Sequence, residues 1–141
     1  MLAISRFFLF PAAFLCLSGF FALAQTDSAI RDIKAAPGKD TRVGVYTNIA
    51  ADCTTGPLPS IRLAVAPAHG TVHVRRGSLK ATNFKQCLAI EAPALIALYH
   101  AADNFNGTDE FDLEVIFAGG RKQMQHFRVN VAGNPAGGQG I

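Results

Sequence analysis

The densest group of oxygen-bearing side chains is Asp103, Asn104, Asn106, Asp109 and Glu110, gathered around Gly107. Calcium takes roughly six to eight oxygen ligands, so this segment is a weak calcium candidate. Setting Gly107 at the glycine position of an EF-hand loop puts Ala102 first and Leu113 last, neither of them a ligand, and that motif is excluded. An irregular calcium loop stays open beside the plainer reading, a turn whose Asx side chains satisfy its own backbone. The plainer reading is the expectation: no metal and no cofactor.

Four histidines, His69, His73, His100 and His126, raise the same question. In an unbroken strand His69 and His73 would stand about 13 Å apart, too far to share an ion. His73 and His100 could meet only across strands. The serines outside the leader, Ser28, Ser60 and Ser78, lie in no nucleophile-elbow motif. Paired carboxylates for glycoside hydrolysis could be drawn from Asp109, Glu110, Asp112 and Glu114. Asp112 and Glu114, however, occupy the outward positions of an alternating run, so no catalytic residue is assigned and no enzyme is expected. Cys53 and Cys87 are the two cysteines beyond the leader. In an exported chain such a pair reads as a disulfide. A redox pair or a metal site is the rival reading, weakened by the absence of a C-x-x-C motif.

Export itself is read from the start of the chain. Arg6 precedes an apolar run, Phe7 to Phe21, which closes on Ala22-Leu23-Ala24 before polar Gln25-Thr26-Asp27, the pattern of a cleavable signal peptide over residues 1–24. The run is short for a membrane span of about 20 residues. An uncleaved anchor and a lipid attached at Cys16 are the alternatives. Without Arg6 the chain keeps twelve basic and ten acidic residues with no basic stripe, which argues against nucleic acid. Periplasmic or secreted localisation is expected, with no membrane insertion after cleavage.

The elements that would position these residues are short strands. Val43 and Val45 share one face of a first run. Ile61, Leu63 and Val65 alternate with polar neighbours, as do Val72 and Val74. Phe111, Leu113, Val115 and Phe117 alternate ahead of Gly119-Gly120, and Phe127, Val129 and Val131 alternate after it, which is a hairpin. Arg76 to Gln86 reads as a polar, turn-rich segment. Cys87 to Ile90 and Leu95 to Tyr99 read as two runs broken at Pro93, the second open to a helical reading. Residues 25–41 form an extended lead-in or edge strand, a short helix from Ser28 being the alternative. Residues 132–141, rich in glycine, form a disordered tail. About seven short antiparallel strands without a long helix predict an all-β fold, a β-sandwich over 42–131.

Two stretches together carry a resemblance. Pro67-Ala68-His69-Gly70-Thr71-Val72, then Tyr99, then Asn104-Phe105-Asn106-Gly107-Thr108-Asp109-Glu110-Phe111-Asp112-Leu113-Glu114-Val115 resemble the bacterial immunoglobulin-like, cadherin-like repeat. The resemblance implies an immunoglobulin-like sandwich, with Gly70 and Gly107 relieving tight turns. It also implies Phe105, Phe111 and Val115 plugging the core, and Asp109 bonding the loop backbone. This chain departs from the family in the long stretch between Val72 and Tyr99, which carries Cys87. It departs also in His100-Ala101, where a proline follows the Tyr, and in holding a single copy. The expected function is a non-catalytic module that binds a protein or glycan partner in the cell envelope. The expected contact residues on the insertion are Arg75, Arg76, Lys80, Asn83, Phe84 and Lys85. Phe84 is either an exposed anchor or a cap on the core. A structural envelope subunit that self-associates through its edge strands is the alternative.

Overall fold

The computed structural model describes residues 29–133. The expected signal peptide (1–24) and most of the expected tail lie outside the described residues. The strands are β1 (Ile30–Ala35), β2 (Asp40–Tyr46), β3 (Ser60–Val65), β4 (Gly70–Phe84), β5 (Cys87–Ala101), β6 (Gly107–Ile116) and β7 (Lys122–Val131). They form two sheets, ordered β1-β7-β6-β3 and β2-β5-β4. The fold is the expected all-β sandwich. One pair departs from the antiparallel expectation: β1 runs parallel to β7, from Ile30 beside His126 to Ala35 beside Val131. The lead-in is therefore an edge strand belonging to the sandwich, which begins at Ile30 and not at residue 42.

Alternation explains the core. Phe111, Leu113 and Val115 of β6 and Phe127, Val129 and Val131 of β7 are buried. From the facing sheet they meet Val43, Tyr46, Ala97, Tyr99 and Ala101. The rings of Tyr99, Phe111 and Phe127 lie nearly parallel, with centroids 5.7 and 4.8 Å apart in succession. Offset stacking of this kind adds about 0.5–1.5 kcal/mol per pair beyond area burial. Ile61 packs against this core, whereas Leu63 and Val65, expected beside it on one face, are exposed on edge strand β3. A register shift between Leu63 and Val65 accompanies the change.

The largest difference from the sequence reading lies between Val74 and Leu95. The expected polar turn segment and the two broken runs form one ribbon, β4 paired with β5 from Gly70–Ala101 out to Phe84–Cys87. Pro93 does not break it. Beyond Leu95, which pairs with Tyr46, β2 has ended, so that flank of β5 has no strand beside it and the missing N–H is tolerated. Periodicity fails over Arg76 to Gln86 because no β4 position is fully buried, and the buried positions of the far ribbon, Ala92 and Ala94 of β5, are small.

Two glycines expected to relieve turns do different things. Gly107 does adopt a backbone that other residues resist, with φ of 144°. Gly70 instead sits in β4, where a Cβ would approach the Tyr99 ring and the His100 carbonyl within 2.6 Å. Its hydrogen side chain lets Tyr99 lie flat beneath the strand.

Candidate functional site

The five residues of the candidate calcium loop do not converge. Asp109 turns inward and is 3% exposed. Its carboxylate accepts from the backbone N–H of Ala68, His69 and Glu110 and from the Tyr99 hydroxyl, all at 2.8–3.0 Å. The loop backbone that it bonds thus includes the Pro67–Gly70 turn, about forty residues away in sequence. Burial alone would raise the Asp109 pKa, but these hydrogen bonds together hold it below the ordinary carboxylate value. Tyr99 is shifted upward, first by burial and then by its bond to the Asp109 charge. Glu110 pairs with Arg128 at 2.8 Å, and Asn106 accepts from the Gly133 N–H. Asp103 lies against Gly38 and Asn104 is exposed. Among the described residues no group of three His, Cys, Asp or Glu side chains is placed to hold a metal.

The histidines separate by environment. His69 stacks on Phe105, with centroids 4.1 Å apart. His126 contacts Asp112 and lies 3.9 Å from Glu110 on the outer face of the four-stranded sheet. His73 and His100 do meet across strands, through a residue that the sequence did not single out. Asp40 lies 2.8 Å from His100 Nδ1 and 3.8 Å from His73 Nε2. Its part could be found only from the β2–β5 register.

The six expected contact residues also divide. Successive strand residues point to opposite faces, so Arg75 and Arg76 part company. Arg75 faces a concavity on the outer side of the three-stranded sheet, lined also by Asp40, Arg42, His73, Ile96 and Leu98. Lys80 is exposed and lies 3.5 Å from Glu91 across the ribbon. Asn83, Phe84 and Lys85 reach the ribbon tip.

That tip is tied back onto the sandwich. The Cys53–Cys87 disulfide ties it to the segment between β2 and β3, as expected from the sequence. Gln86 donates to the Ala51 carbonyl at 2.6 Å, and an isolated bridge joins Ile49 to Thr55. Asp52 accepts from the Thr54 N–H and hydroxyl, which holds its pKa low. Phe84 is half-buried and shares a concavity of about 210 Å³ with Ile49, Ala50, Ala51, Lys85, Gln86 and Cys87. It is not part of the sandwich core. Lys85 Nζ stands 5.7 Å from the Phe84 ring centroid. Leu88, which the sequence reading did not pick out, is 81% exposed. Cys53, Asn83 and Lys85 are the three non-glycine residues with positive φ among those described, at 67°, 55° and 53°. Asn83 and Lys85 belong to this tip and Cys53 to the segment stapled to it.

No family model and no curated protein matches the chain. Among solved structures, the solution structure of amebosin aligns at a TM-score of 0.41 and 12% identity, covering 72% of this chain and 88% of that one. A likeness this slight carries no conclusion about fold or function.

Proposed function

We propose that this chain is an exported, non-catalytic immunoglobulin-like module, working in the periplasm or outside the cell. In this reading it presents the stapled tip of its β4–β5 ribbon to a protein or glycan partner in the cell envelope. The apolar leader and the disulfide support export. Strand order supports the immunoglobulin-like reading: second, fifth and fourth strands in one sheet, and third, sixth and seventh in the other, as in the B-E-D and C-F-G sheets of that fold.

The observation that carries the binding reading is the concentration of left-handed, non-glycine residues at the tip and in the segment stapled to it. Each such conformation costs on the order of 1–3 kcal/mol, somewhat less for Asn, and strain of this kind clusters at binding and catalytic sites. The sandwich core gains nothing from it, since none of these residues belongs to the core. At Lys85 it suits the two-residue hairpin turn between Phe84 and Cys87, and that turn displays its neighbours. Phe84 sits in a shallow hollow beside Lys85, and Leu88 stands nearly free in solvent, a pairing of aromatic anchor and exposed apolar neighbour suited to an interface centre.

The test is affinity capture by residues 25–141 from envelope extract, repeated with Phe84→Ser and Leu88→Ser. The reading expects a component retained by the natural chain and lost with both variants at unchanged Tm. Retention by every variant would remove the tip from the contact. A specific observation favours the alternative of self-association: β4 is a fifteen-residue edge strand. Its Arg75, Arg76 and Lys80 oppose edge pairing. Concentration-dependent multimers in size-exclusion chromatography would decide for the alternative.

A further inference from the structure

On the outer face of the three-stranded sheet, register sets out a compact grid. Three rows cross it from β2 through β5 to β4: Asp40–His100–Thr71, Arg42–Leu98–His73 and Val45–Ile96–Arg75. The register shift between Arg42 and Gly44 makes this grid. It lets Asp40, Arg42 and Val45 all face outward while Val43 and Tyr46 still enter the core. Leu98 is 8% exposed although it lies on the side away from the core. Longer neighbours therefore wall it in, and with Ile96 it floors a concavity of about 520 Å³.

The charges around this floor are incompletely paired. Asp40 is engaged by His100 and, more distantly, by His73. Arg42 and Arg75 have no ion-pair partner among the described residues. On the other sheet Arg62, Lys122 and Arg128 each face a carboxylate, although outward Lys34 there does not. Two guanidiniums on the rim of one apolar floor favour an anionic group, and guanidinium binds a planar carboxylate in fork geometry. The Asp40 carboxylate in the same hollow repels a dianionic phosphate more than a monoanionic carboxylate, and its second oxygen, 3.8 Å from His73, is open to further donors. Hydroxyl groups supply such donors, and the C–H face of a sugar ring can lie on Leu98 and Ile96.

We propose that this concavity binds a hexuronate unit of an acidic glycan. Arg42 and Arg75 take its carboxylate, Asp40 and the imidazoles of His73 and His100 take its hydroxyls, and Leu98 with Ile96 supports its ring. The site is separate from the ribbon tip and does not depend on what the tip binds.

The experiment titrates residues 25–141 with a trigalacturonate, with a neutral trisaccharide of equal length and with inorganic phosphate. Calorimetry and the methyl resonances of Ile96 and Leu98 report binding. The trigalacturonate is expected to bind and to shift both methyl groups, with the other two probes at least tenfold weaker. Arg42→Gln and Arg75→Gln are each expected to weaken binding about tenfold or more at unchanged Tm. Arg76→Gln, on the opposite face, and Phe84→Ser, at the tip, leave it unchanged. Equal binding of the neutral sugar, tighter binding of phosphate, or full binding by either Arg42→Gln or Arg75→Gln overturns the proposal. None of these results bears on capture through the tip.

Discussion

The near and far halves of the β4–β5 ribbon come from the same two strands and are held by different forces. In the near half, β5 lies between β4 and β2, and Ala97, Tyr99 and Ala101 are fully buried beneath the opposite sheet. In the far half β2 has ended. The ribbon there relies on its own ladder, on small buried Ala92 and Ala94, and on the Cys53–Cys87 staple. The near half follows sandwich rules: alternation, ring stacking, a satisfied buried carboxylate. The far half tolerates left-handed side chains and an exposed leucine because no core depends on it. One continuous ladder thus joins a region that selection for packing constrains to one that it leaves free for contact.

The largest perturbation of this contrast is Phe111→Ala, in the near region's core. Removing a fully buried ring between Tyr99 and Phe127 is expected to cost about 3–5 kcal/mol. Thermal unfolding should register a Tm lower by more than ten degrees. Next comes removal of the staple by Cys53→Ser with Cys87→Ser. For a loop spanning a sequence separation of 34 the chain-entropy account gives a loss of about 3.8 kcal/mol. Hydrogen exchange is the sharper readout. Amides of 77–94 should lose protection while those of 95–101 keep theirs, and equal loss in both would abolish the distinction between the halves.

Asp109→Asn strikes the polar knot of the near region. It leaves donors facing an amide nitrogen, at a cost of about 1–3 kcal/mol. Because folding lowers the Asp109 pKa, its contribution is complete above the unfolded value near 4 and is lost as pH falls through the lower folded value. Chemical denaturation at successive pH values should therefore show less acid-induced loss in the variant than in the natural chain. The smallest effect is expected from Lys85→Gly. Glycine accepts φ of 53° without a side-chain penalty, so stability should rise by about 0.5 kcal/mol despite the looser unfolded chain. A fall would mean that Lys85, through Phe84 or the solvent around it, supports the tip more than its backbone strains it.

Legibility in the sequence follows the same division. The β6–β7 hairpin could be read because one face is buried throughout, so that Phe111, Leu113, Val115, Phe127 and Val129 had to alternate. The disulfide could be read from pairing and compartment. The ribbon beyond Val74 could not, since no buried face imposes a period on Arg76 to Gln86, and Pro93 suggested an end where only a missing flank exists. Asp109 was legible as a structural acid, but its true partners, Tyr99 and the Ala68–His69 backbone, are set by tertiary contact. Among the expected contact residues Arg75 and Arg76 were grouped by adjacency, which in a strand places them on opposite faces. The part played by Asp40 at His73 and His100 was hidden for the complementary reason: residues far apart in sequence are neighbours in register.

The parallel pairing of β1 with β7 carries a mechanical consequence. The chain enters at Ile30, beside His126, and β7 leaves at Val131, beside Ala35. Tension applied through these two points drives the strands past one another lengthwise. All six register pairs then bear load together, from Ile30–His126 to Ala35–Val131, and do not peel apart singly. Such a load would meet a shear-loaded clasp, in which the six pairs must yield at once.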